Sequence, residues 1–131
     1  MYDQILKRIK KDNIPIMGTC AGCVLLSKKI VDNKGEIKSL NLMNIEVERN
    51  KFGRQKESFE KNIVIKGYSE PFHAVFIRAP IIKKIWGNCE ILAKVDEKIV
   101  AVRQDNFIAY SFHPELTDDI RLHSSFLKMI I

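Results

Sequence analysis

Two short stretches carry residues that could do chemistry together. In Pro15-Ile16-Met17-Gly18-Thr19-Cys20-Ala21-Gly22-Cys23-Val24-Leu25-Leu26, an apolar, strand-like run stops at Gly-Thr-Cys-Ala-Gly and a helix-like run follows at once. Glycine tolerates positive φ and close backbone approach, so Gly18 and Gly22 suit a sharp strand-to-helix turn. A residue at the tip of such an elbow is pushed into solvent above the free amides of the new helix. That residue is Cys20, and the helix N-terminus is expected to lower its thiol pKa and raise the thiolate fraction. The second stretch is Phe112-His113-Pro114-Glu115-Leu116, directly after a strand-like run.

A cysteine nucleophile needs a base to take its proton and then give one to the leaving group. Residues two apart in extended chain point to the same side, so Glu115 can turn its carboxylate toward the His113 ring. Pro114 stiffens that geometry. A carboxylate on one imidazole nitrogen fixes the tautomer and leaves the other nitrogen for the thiol. Cys20, His113 and Glu115 therefore supply nucleophile, base and orienter. Alone, a His-Pro-Glu after a strand reads as a surface turn, and its pairing with a glycine-bracketed cysteine is what favours catalysis. His73 and His123 have no such company and read as structural or exposed. Cys20-Ala21-Gly22-Cys23 is also a C-x-x-C, which could be a redox couple. Cys23, however, falls one turn into a helix beside Val24, Leu25 and Leu26, as a buried cysteine does. With no second cysteine or histidine cluster, no metal site is expected.

The elements that must position these residues follow from periodicity. Tyr2, Ile5, Leu6 and Ile9 predict a helix over 2–11 that stops before Pro15. Ile14 to Met17 reads as a short buried strand and Ala21 to Ile30 as the helix after the elbow. Asp32-Asn33-Lys34-Gly35 is a turn. Leu42 to Glu48 predicts a strand, and 49–55 a loop. Ile63 to Ile65 and Ala74 to Ile77 are further strands, whereas Ile81 to Trp86 reads as about one helical turn. Glu90 to Val95, Ile99 to Arg103 and Phe107 to Phe112 predict an antiparallel meander. The last helix is expected over Asp118 to Ile131 with Thr117 as N-cap. The order of elements indicates an α/β fold in one domain, 1–131.

The formal net charge is +6, but the lysines are dispersed over expected solvated faces rather than concentrated among aromatics, so no nucleic-acid partner is expected. The apolar runs are far too short for a membrane span. The lysine-rich start has no h-region of a leader, and three cysteines cannot all pair, so a reducing cytoplasm is expected.

The elbow segment resembles the nucleophile segment of class I, triad-type glutamine amidotransferases. Val47-Glu48-Arg49-Asn50-Lys51-Phe52-Gly53-Arg54-Gln55, Phe76-Ile77-Arg78-Ala79-Pro80 and Ser111-Phe112-His113-Pro114-Glu115-Leu116-Thr117 narrow this. Together they look like the glutaminase subunit of pyridoxal 5′-phosphate synthase, over nearly the whole chain.

The resemblance implies a flavodoxin-like, three-layer α/β/α fold. It also implies hydrolysis of L-glutamine to glutamate and ammonia, with no cofactor, the ammonia passing to a barrel-shaped synthase subunit for vitamin B6 biosynthesis. By motif, Cys20 is the nucleophile, His113 the acid/base and Glu115 its orienter. Arg49, Ile77 and Arg78 match glutamine-contacting positions, and the backbone N–H of Ala21 is an oxyanion donor. Arg54 reads either as a substrate or loop contact or as a structural pair. Family members carry, upstream of the elbow, a first strand and a Gly-Gly-Glu-Ser segment with a further oxyanion donor. This sequence begins in the helix before the elbow, so an N-terminally truncated fold lacking both is expected. The alternative is a catalytically impaired remnant that only binds the synthase subunit.

Overall fold

Strand alternation sets the layers of the molecule. A computed structural model describes residues 1–49 and 58–130. Its elements are α1 (Tyr2–Asp12), β1 (Ile16–Thr19), α2 (Ala21–Leu26), β2 (Ser27–Ile30), β3 (Met43–Glu48), β4 (Ser58–Ile63), β5 (Phe72–Ile77), β6 (Ile81–Ile85), β7 (Glu90–Val95), β8 (Lys98–Gln104), β9 (Phe107–Tyr110) and α3 (Arg121–Ile130). A single 3₁₀ turn, Pro114–Leu116, lies between β9 and α3. A mixed sheet runs in the order β1-β9-β8-β6-β3-β2 with β7 also on β8, and β4 and β5 form a separate two-stranded ribbon.

Successive side chains on a strand face opposite sides, and the mixed sheet accordingly has a core on each face. Ala101, Tyr110 and Phe112 join Ile63, Phe72, Phe76 and Leu122 in one cluster. Val102 and Ala109 join Ile9, Cys23, Leu26, Ile45 and Val47 in the other. The ribbon and α3 thus cover one face, and α1 and α2 the other. This is the expected α/β layering. Phe76, Phe112, Phe72 and Tyr110 form an aromatic chain within the first cluster, with ring centroids 5.1–5.9 Å apart.

β1 pairs parallel with β9, Thr19 opposite Tyr110. That pairing brings the two chemistry-bearing stretches to one end of the sheet. The meander β7-β8-β9 is antiparallel as expected. Helix α1 ends as predicted, with Asn13 in the left-handed region and its N–H donating to the Ile9 carbonyl.

Four expectations are corrected. The helix after the elbow stops at Leu26, not Ile30: the Ser27 hydroxyl donates to the Val24 carbonyl at 2.7 Å, and residues 27–30 turn extended to pair with β3. Ile81 to Ile85 is a strand rather than a helical turn, because its β-branched residues pair antiparallel with β3. The strand expected at Ile63 to Ile65 instead covers Ser58–Ile63. Its polar sequence hides a directly opposed, stacked pair, Phe59 on Phe76 at 4.6 Å. Finally, Thr117 does not cap the last helix. Its hydroxyl oxygen accepts from the Asp119 N–H at 3.3 Å, while the Asp119 carboxylate takes the first helical amide, that of Arg121, at 3.0 Å. Of the loop expected over 49–55, residues 50–55, Arg54 included, lie outside the described residues, as does Ile131.

Candidate active site

The elbow is built by a close approach and a strained residue. A Cβ on Gly18 would stand 2.6 Å from the Gly22 carbonyl oxygen and 2.7 Å from Leu26 Cδ1, so only glycine lets α2 pack against β1 here. Gly22, by contrast, has open space where a Cβ would go. The positive φ falls on Cys20 itself, at φ 51° and ψ −107°. Such strain in a non-glycine residue persists only where surrounding structure enforces it, and it clusters at functional sites. The enforcing bonds are the Cys20 N–H to the Tyr110 carbonyl at 2.8 Å and the Cys23 N–H to the Cys20 carbonyl at 3.0 Å.

Cys20 Sγ lies 3.7 Å from the Ile77 carbonyl oxygen. The backbone N–H of His113 donates to the Val75 carbonyl of the same strand at 2.8 Å. Carbonyls two residues apart on a strand point the same way and are about 7 Å apart, so β5 holds Cys20 and His113 as neighbours on one edge. His113 Nδ1 meets Glu115 Oε2 at 2.7 Å. Nε2 has no carboxylate partner among the described residues, so the ring is held from one side only, the arrangement of an imidazole and its orienter.

Electrostatics correct one expectation. Burial raises the Cys20 thiol pKa, the Ala21 backbone N–H opposes this, and the Glu115 charge raises it further; the net shift is upward. At the start of helix α2, Ala21–Leu26, the lowering from the Ala21 N–H is smaller than the cost of desolvating a thiolate. Glu115 itself is partly desolvated, which opposes ionisation. The hydrogen bond from His113, its own backbone and the charges of His113 and His123 outweigh this and hold it below the usual carboxylate range. Cys23 is fully buried, and burial pushes its thiol up to about 12. Cys20, Cys23 and Cys89 are all free thiols.

A cavity of about 400 Å³ opens beside the sulfur, lined by Cys20, Ala21, Leu25, Ile37, Arg49 and Arg78, with Val24 and Pro80 completing it. The structure therefore gathers Cys20, Ala21, Arg49 and Arg78 around one space, with Ile77 against the sulfur. His113 and Glu115 stand at its side rather than in its lining. Arg78 sits in the left-handed region, φ 45°, immediately after β5. Sequence reasoning missed Val24, Leu25, Ile37 and Pro80. Pro80 adjoins the Ile77-Arg78 motif and could have been found from it; Ile37 had no signal. His73 engages Glu60 and Asn62 on the ribbon and takes no part. No group of three or more potential metal ligands occurs among the described residues.

A family model covers residues 1–131 in full. The chain belongs to the SNO glutamine amidotransferase family. Members similar to it include the pyridoxal 5′-phosphate synthase subunit PdxT of Desulforamulus reducens, 52% identical over 99% of this chain and 68% of that protein. That of Thermosipho africanus is 45% identical over 99% of this chain and 68% of its own length. That of Geobacillus thermodenitrificans is 51% identical over 95% and 63%. The chain thus spans about two thirds of the length of the curated relatives it matches. A crystal structure of a glutamine amidotransferase superposes with TM-score 0.90 at 44% identity, covering 98% of this chain and 67% of that one. A glutamine amidotransferase of Thermotoga maritima, at 12% identity and TM-score 0.57, shares the fold alone. In this member of the SNO family no helix among the described residues is long and apolar enough to cross a membrane.

Proposed function

We propose that the chain hydrolyses L-glutamine to glutamate and ammonia, and that the ammonia feeds pyridoxal 5′-phosphate synthesis. Family membership and PdxT relatives at about half identity support the reaction. The observation that carries the site is a strained Cys20 beside an arginine-flanked cavity, with the His113–Glu115 pair on the adjoining strand edge.

In this reading His113 Nε2 takes the Cys20 proton, and the sulfur attacks the carboxamide carbon. The tetrahedral oxyanion accepts from the Ala21 backbone N–H, already close enough to Sγ to favour its anionic form. The carbon–nitrogen bond breaks as the imidazolium returns its proton to nitrogen, releasing ammonia and leaving a thioester. Water, deprotonated by the same imidazole, cleaves the thioester to glutamate and restores the thiol. Because burial raises the thiol pKa, the sulfur reaches its nucleophilic form by giving its proton to this base. Glu115 holds the ring in the tautomer with Nδ1 protonated. Arg49 and Arg78 hold the amino acid's carboxylate, with the backbone at Ile77 against the reacting centre. The ammonia acceptor is a barrel-shaped synthase subunit, and the setting is the cytoplasm, where three free thiols persist.

The test is release of ammonia and glutamate from L-glutamine with the synthase subunit present. Cys20→Ala is expected to fall to background; equal rates from both chains would overturn the proposal.

A further inference from the structure

The connection between β2 and β3 reaches the cavity through Ile37 and is tied down at several points. The Asn33 side chain makes a two-way bridge to Ile37, donating to its carbonyl at 2.8 Å and accepting its N–H at 3.0 Å, while the Glu36 N–H donates to the Asn33 carbonyl at 2.9 Å. Lys34 and Gly35 take positive φ, 50° and 79°, to close this turn. Further on, the Leu40 N–H donates to the Leu25 carbonyl of α2 at 2.6 Å, and Tyr2 donates to the Ser39 carbonyl at 2.6 Å. The connection is therefore anchored to the helix that begins at the nucleophile.

From this braced turn Ile37 faces the cavity, and Arg49 Nη2 donates to Oε2 of its neighbour Glu36 at 3.0 Å. A guanidinium has five donors in a rigid fork. One meets Glu36, no other partner is found among the described residues, and the side chain lines the cavity where a carboxylate would sit. We infer that Glu36 is a positioning residue: it fixes the Arg49 guanidinium at the cavity wall and so tunes recognition of an α-amino acid carboxylate beside Cys20. The inference rests on the glutamine reading above and extends it to a residue that reaches substrate only through Arg49. Both partners are partly exposed, 36% and 62% for Arg49 and Glu36, so the effect is modest, about two- to five-fold.

The test labels Cys20 in the intact chain with two electrophiles: an L-glutamine-shaped diazoketone, which carries the α-amino acid head, and iodoacetamide, which does not. The readout is the ratio of the two rates, so a general loss of thiol reactivity cancels. The ratio is expected to favour the glutamine-shaped probe and to fall about two- to five-fold in Glu36→Gln. In an Arg49→Met background, Glu36→Gln is expected to change it no further. An unchanged ratio in Glu36→Gln, with the native chain still preferring the amino acid probe, overturns the role of Glu36 and leaves the glutaminase reading standing. An equal fall in both backgrounds overturns action through Arg49. Absence of any preference in the native chain overturns the glutamine reading and this inference with it.

Discussion

The thiol of Cys20 points at the carbonyl oxygen of Ile77, 3.7 Å away. A carbonyl accepts the S–H proton and does nothing for a thiolate, and burial together with Glu115 acts in the same direction. Alkylation of Cys20 by iodoacetamide is therefore expected to rise with pH through a midpoint above that of an ordinary thiol. A midpoint below it, read by mass spectrometry across pH, would contradict the raised pKa. Cys23, at about 12 and fully buried, is expected to stay unlabelled in the folded chain and to form no disulfide with Cys20 under mild oxidant.

His113 and Glu115 separate in their effects on turnover. Removing the imidazole in His113→Asn is expected to lower kcat by about 10²–10⁴. Glu115→Gln should cost less, because the base remains and only its tautomer and orientation are loosened. Linkage gives a second readout. The carboxyl of Glu115 is depressed in the folded state, so the stability it contributes is present above its unfolded pKa of about 4.3. It is lost as pH falls through the lower folded value. The stability difference between native and Glu115→Gln chains, from urea titrations, should be flat above that range and shrink below it.

The two elbow glycines predict opposite outcomes. Gly18→Ala drives a methyl into the Gly22 backbone, which should destabilise by about 1–3 kcal/mol and slow Cys20 labelling as α2 shifts. Gly22→Ala meets open space inside a helix and should stabilise by about 0.5–1 kcal/mol. Thermal unfolding of both variants checks this.

The turn between β7 and β8 places Asp96 and Glu97 at φ 49° and 69°, the geometry of a two-residue hairpin that favours Asp-Gly. Glu97→Gly keeps the Lys61–Asp96 pair and is expected to raise stability by about 0.5–1 kcal/mol. A fall in stability would mean that Glu97 makes contacts that outweigh its backbone strain.

What the sequence determined by itself was local chemistry. Cys20 between short-range apolar runs, and His113 two residues from Glu115, are patterns whose geometry follows from neighbouring residues, and the 2.7 Å bond between the latter pair agrees with it. Helix α1 and the meander were legible because period and turn chemistry are local too. Tertiary structure decided the rest. The strand at Ser58–Ile63 exists because Phe59 stacks on Phe76, and residues 27–30 are extended because β3 offers a ladder; neither partner is visible in the segment itself. The direction of the Cys20 pKa was reversed because desolvation depends on everything packed around a thiol, not on the helix that follows it. The meeting of Glu36 with Arg49 was likewise set by the braced turn between β2 and β3, a contact that no spacing along the chain encodes.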